Sequence, residues 1–204
     1  CFVFFATLVT YNFQRFVRIK KGSNHARKRW LKKNRIAVCL LMFFAFVISA
    51  HQFFNFKFRT QIIIFSVAIL SFFYPFGLRK IPFVKIFIIS FVWSISTMLF
   101  LVFENEIVIT QNVVLHFLSR FLFVFSITIP FDIRDLKYDL GKIKTIPLFF
   151  GQTKAKWFAK IAILICFLIA AFQQAQNSIS SPNFLALSLL YFLTLLMVIK
   201  SDKN

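Results

Sequence analysis

Acidic residues are scarce in this 204-residue chain: six Asp and Glu stand against 25 Lys and Arg, giving a formal net charge of +19. Such an excess could suit nucleic acid, but the bases lie between apolar blocks and not along one polar face. That arrangement favours anionic lipid at a membrane surface. Cysteine is scarce too. Cys1, Cys39 and Cys166 sit far apart inside apolar runs, with no CxxC pair and no Cys/His ligand spacing. This argues against a disulfide framework and against a zinc site. Period-two alternation of polar and apolar residues is also missing, which argues against a transmembrane β-barrel. No internal repeat and no low-complexity linker divides the chain.

What fills the sequence is apolar. Hydrophobic residues make up 59%, aromatic residues 20%, with 33 Phe and only four Gly. The mean hydropathy is +0.78, and a soluble domain of this size could not hide so much apolar surface. A spanning helix needs about 20 mostly apolar residues. Seven stretches qualify as candidates: 1–16, 36–54, 62–76, 84–103, 107–130, 157–172 and 184–199. The expected fold is therefore all-α, a polytopic transmembrane helix bundle with at least seven spans in a single membrane domain, residues 1–204. Residue 1 is a Cys inside an apolar run, so further sequence is expected upstream. Basic residues concentrate on alternate linkers. The stretch 15–35 holds ten bases and no acid, and Arg79, Lys80 and Lys85 form a second basic group. By the positive-inside rule these face the cytoplasm, with the segment after residue 132. Lys57 and Arg59 are the exception. A bacterial inner membrane fits this pattern.

Three of the six acids fall within eight positions, at Asp132, Asp135 and Asp139. Neighbouring carboxylates disfavour one another's ionisation, so cations are expected beside them: Arg134, Lys137, Lys142, Lys144, a metal, or both. The i, i+3, i+7 spacing puts all three on one face if the fifth helix continues past Pro130. Oxygen-only ligands suit Mg²⁺. A solvated helix end whose acids pair with Arg134 and Lys137 would carry the same pattern, and spacing alone leaves both open. Farther up that helix, Asn112, His116 and Arg120 recur at i, i+4, i+8 as a polar stripe. Arg120 lies roughly 18 Å before Asp132 along a helix, near mid-membrane, where a charged residue is a functional candidate. His116 and Arg120 are expected to line a central cavity.

The order Arg-Asp-Leu-x-x-Asp, then Gly-Lys-x-Lys-Thr-x-Pro-Leu, then Phe-Gly, over residues 132–151, resembles the second aspartate-rich motif of the UbiA-type intramembrane prenyltransferase superfamily, its menaquinone-pathway branch most of all. Tyr74-Pro-Phe-Gly-Leu-Arg79-Lys80 resembles the tyrosine-then-basic end of that family's fourth helix. The resemblance implies a partial UbiA-like prenyltransferase domain. Its implied reaction is Mg²⁺-dependent transfer of a prenyl group from a prenyl diphosphate to a lipophilic, commonly aromatic, acceptor. It makes Asp135 and Asp139 the catalytic metal ligands, with Asp132 as an auxiliary acid on the metal. Lys144 would neutralise phosphate, and Tyr74, Lys80 and Arg134 would join the substrate site.

The family's first motif, normally Asn-Asp-x-x-Asp-x-x-x-Asp, is replaced here. Asn12 is kept, but Phe13, Phe16 and Lys20 stand where carboxylates belong. Two readings follow: Arg15 and Arg18 bind diphosphate as fixed cations, or the chain is a catalytically inactive member that binds an isoprenoid or quinone-like lipid or scaffolds partners. The alcohol phosphotransferases, another membrane family with clustered aspartates, need an Asp-Gly and Ala-Arg pattern that this sequence lacks.

Overall fold

The computed structural model describes residues 1–20, 28–78, 81–136 and 144–201. All regular structure among them is helical: α1 (Phe2–Lys20), α2 (Lys28–Lys33), α3 (Arg35–Phe54), α4 (Phe58–Phe73), α5 (Val84–Ser94), a π-helical turn (Ile95–Leu99), α6 (Phe100–Glu104), α7 (Gln111–Arg134), α8 (Ile146–Phe150), α9 (Gln152–Ala175) and α10 (Ser181–Lys200). Five runs are long and apolar enough to cross a membrane: Arg35–Phe54, Val84–Glu104, Gln111–Arg134, Gln152–Ala175 and Ser181–Lys200. The other two predicted stretches are also helical but differ from these. Polar Asn12, Gln14, Arg15, Arg18 and Lys20 crowd the second half of α1. At 16 residues, α4 reaches only about 24 Å, short of a hydrocarbon core of about 30 Å.

Two compact units form, Cys1–Leu78 with Phe103–Glu106, and Arg79–Val102 with Ile107–Asn204. In the first, α1 packs chiefly on α3 and also touches α4. The buried faces carry small or slender residues, Val38, Ala45 and Ser49 on α3, and Thr60, Ile64, Val67 and Ser71 on α4. Close approach between helices, not hydrophobic exclusion from water, drives such packing in lipid. Phe43, Phe44 and Phe46 are each about 60% exposed, at 61%, 61% and 59%, as expected of a lipid-facing side. The turn from α3 to α4 is closed by Gln61, whose Nε2 donates to the Phe53 and Phe56 carbonyls at 3.2 and 2.9 Å. Lys57, the exception in the basic pattern, pairs with Glu106 at 2.9 Å, and its backbone N–H donates to Glu104 at 3.1 Å. Its charge is locally cancelled.

The second unit is built on α7, which packs against α9 and α5, while α10 covers α9. The α9 face is a row of small residues, Ala155, Ala159, Ala162, Cys166 and Ala170, all at most 4% exposed. Ile129 and Ile133 of α7 complete that core. Glycine is so rare that α9 ends without one. Asn177 takes the left-handed conformation (φ 54°), with Ser178 N–H donating to Gln173 and Asn177 N–H to Gln174. This satisfies the carbonyls that a helix end leaves open.

Candidate functional site

Helix α7 runs through Pro130 and ends at Arg134. Proline removes one backbone donor and normally breaks a helix; here the carbonyl that loses its helical donor is that of Ser126, four residues before, and membrane helices tolerate such a proline. Ser126 and Thr128 donate farther back on the same helix, to the Phe123 and Val124 carbonyls, both at 2.7 Å. The continuation sets Asp132 in the last helical turn and makes Asp135 the residue that caps it.

These two acids part company. Asp132 is buried, 2% exposed, and its Oδ1 meets the Lys85 ammonium at 2.6 Å. A carboxylate at a helix C-terminus and an ammonium at a helix N-terminus each oppose their own helix dipole. Here each charge instead faces the favourable pole of the other helix, since the start of α5 lies against the end of α7. The antiparallel register holds along both helices. Twelve residues beyond Lys85, the Thr97 carbonyl accepts from Nη1 of Arg120, twelve residues before Asp132, at 3.0 Å. Asp135 is part-exposed and, among the described residues, pairs with its chain neighbour, Arg134 Nε, at 2.9 Å. The Arg134 guanidinium also lies over the Phe131 ring.

Lys144 is exposed and Thr145 is buried. The Lys144 carbonyl accepts from the Phe83 N–H at 3.0 Å, and the Phe83 ring packs on Phe149 and Phe150. The Thr145 hydroxyl has no hydrogen-bond partner among the described residues. It stands at the N-cap of α8, but Pro147 in the first turn has no N–H to offer it. Asp139, Lys80, Lys137 and Lys142 lie outside the described residues, as does the Arg18 side chain.

In the first unit, Asn12 and the residues after it on α1 bond and pack within that unit. Asn12 donates to the Leu8 carbonyl of its own helix at 2.9 Å, and Phe13 stacks on Phe72 with ring centroids 5.1 Å apart. Gln14 crosses from α1 to α4, donating to the Ser71 carbonyl at 3.0 Å. Arg15 is 8% exposed. Its guanidinium lies 4.5 Å from the Tyr11 ring centre, and its Nε has no hydrogen-bond partner among the described residues. Tyr74, also buried, ends α4.

The polar stripe of α7 divides among different neighbours. Asn112 donates to the Ser178 hydroxyl at 2.8 Å and accepts through its carbonyl from Gln173 at 3.2 Å, at the turn between α9 and α10. His116 is half-buried. Arg120 reaches instead to the π-helical turn, where the ordinary helical ladder is interrupted and a carbonyl is free to accept. Sequence reasoning missed the π turn, the Ser119–Tyr191 hydroxyl pair at 3.0 Å and the Lys85 contact. Lys85 stood out only as one more juxtamembrane base.

These features define a helical membrane protein in which one helix end presents a buried, neutralised aspartate and an accessible one three residues on. The model of the UbiA prenyltransferase family matches residues 2–203, and the chain belongs to that family. No curated protein and no solved structure matches it.

Proposed function

We propose that the chain is an integral membrane prenyltransferase, moving a prenyl group from a prenyl diphosphate to a lipophilic acceptor of aromatic type. Family membership over residues 2–203 carries this reading. Both compact units are read as parts of one UbiA-like membrane domain in a bacterial inner membrane, with the acidic segment cytoplasmic; the distribution of Lys and Arg supports that orientation.

Among the described residues no three metal-ligating side chains converge. Mg²⁺ takes one or two carboxylates when water and phosphate oxygens complete its octahedron. Asp135 fits, being part-exposed and oxygen-only, and Asp139 is the proposed second ligand. Asp132, expected from sequence as a third, is buried in its pair with Lys85. Bound there, Mg²⁺ would stabilise negative charge on the departing diphosphate. Lys144 and Arg134 add fixed positive charge for phosphate. Apolar walls, Phe121 and Phe123 among their candidates, keep water from the allylic cation until the acceptor takes it. Arg15 is proposed as a phosphate cation on the strength of its buried guanidinium and partnerless Nε.

One observation favours the non-catalytic alternative, a member that binds an isoprenoid or quinone-like lipid. One of the α1 positions where the resemblance would put carboxylates, Phe13, is committed to packing in its stack on Phe72. The separating experiment is Mg²⁺-dependent transfer from a labelled prenyl diphosphate by wild type and Asp135→Ala. Transfer lost in a folded Asp135→Ala protein supports the enzyme. Equal activity of the two proteins would remove Asp135 from the site.

A further inference from the structure

Lys85 has no place in the chemistry above, yet it makes the most buried ion pair recorded among the described residues. The side chains of Lys85 and Asp132 are only 12% and 3% exposed, at 2.6 Å separation. Two residues before Lys85, Phe83 adopts a left-handed conformation (φ 63°) at the start of α5. A bulky residue there is strained and persists only where its surroundings hold it. What holds it is the N–H bond to the Lys144 carbonyl and the packing of its ring on Phe149 and Phe150. The first turn of α5 thus grips two separate places, the α7 end that presents Asp135 and the main chain at Lys144.

We infer that Lys85, with Phe83 beside it, is a positioning residue that fixes Asp135 and Lys144 relative to one another for binding of a metal-diphosphate substrate. The inference rests on the prenyl transfer reading for its ligand, but not for its geometry. An ammonium buried on Asp132 holds the last turn of α7 in one rotation and supplies the charge that lets Asp132 stay buried. Asp135, three residues on, is thereby left on the accessible side. A surface lysine in the same linker would anchor the helix in lipid headgroups but would not fix the Asp135 direction.

The test uses the full chain purified in detergent, as wild type, Lys85→Met, Lys85→Arg and the double variant Lys85→Met/Asp132→Asn. The double variant removes both charges of the pair together and stands in if Lys85→Met fails to fold. Two readouts are taken. The first is amide hydrogen exchange in peptides covering 130–136 and 144–150, with the α10 peptide as internal control. Exchange in both peptides should quicken several-fold in Lys85→Met or the double variant, with α10 unchanged, and Lys85→Arg should restore most of the protection. The second is the Mg²⁺ concentration for half-maximal binding of labelled farnesyl diphosphate. It should rise about tenfold in Lys85→Met and in the double variant and return towards wild type in Lys85→Arg.

Unchanged exchange in both peptides overturns the inference, and so does an unchanged Mg²⁺ requirement in a wild type that binds. A wild type that binds no farnesyl diphosphate at any Mg²⁺ concentration removes the substrate reading and the positioning role with it. The exchange result then still reports whether Lys85 holds the two segments.

Discussion

The row of small residues on α9 makes a prediction that depends on packing alone. Ala159 is fully buried where α9 meets α7, and Leu164, five residues on, is 56% exposed. Ala159→Leu inserts three carbon atoms into a contact whose closeness comes from having none. Overpacking of this kind costs about 1–3 kcal/mol, and in lipid the lost close approach cannot be offset by hydrophobic exclusion from water. Leu164→Ala removes a comparable volume from a lipid-facing position, where changes stay within about 0.5 kcal/mol. Ile163→Ala, at a position 4% exposed, opens a cavity and should cost about 2–5 kcal/mol. The assay is reversible unfolding in mixed micelles with increasing SDS, followed by far-UV circular dichroism. The expected order of stability is wild type and Leu164→Ala together, then the two buried variants well below. If Ala159→Leu matches wild type, or Leu164→Ala falls with the buried pair, the assignment of the α9 faces is wrong.

Other consequences concern individual charges. Arg15→Gln should weaken prenyl diphosphate binding about tenfold, near 1.4 kcal/mol; unchanged affinity would leave Arg15 as a topological anchor. Glu106 is held below the usual carboxylate range by its hydrogen bond to Lys57 and by that ammonium's charge. A depressed folded-state value adds stability above the ordinary Glu range that is lost as pH falls through the lowered value. Lys57→Met should therefore return the Glu106 titration, read by carboxyl ¹³C NMR, towards the ordinary range; an unmoved midpoint contradicts the pairing. Arg120→Met leaves the Thr97 carbonyl without its side-chain donor, so exchange of amides around Ile95–Leu99 should change while peptides from α10 do not.

The helices were legible because lipid demands long apolar runs, and every predicted stretch is helical. Their bounds were less so. Pro130 looked like a helix end, but α7 runs on through it to Arg134. The acidic cluster was legible from its improbability in so basic a chain. Which acid is accessible was not. Asp132 and Asp135 lie on the same short stretch, and the difference between them is made by Lys85 from another helix. No local pattern reports that contact. The stripe Asn112–His116–Arg120 was visible from its spacing, while its partners, Ser178 and Gln173 at one end and the π turn at the other, depend on tertiary packing. The left-handed Phe83 likewise has no signal in a sequence where glycine would be the expected choice.

Prenyl transfer by this UbiA-family chain is tested by following the label. Purified full-length protein in proteoliposomes with a native lipid extract would receive prenyl-labelled diphosphate and Mg²⁺. The account predicts that label moves into a lipophilic product with one diphosphate released per prenyl group transferred, and that Asp135→Ala abolishes both. Labelled prenyl diphosphate bound by the protein but recovered intact would contradict it and favour a lipid-binding member of the family that no longer catalyses transfer.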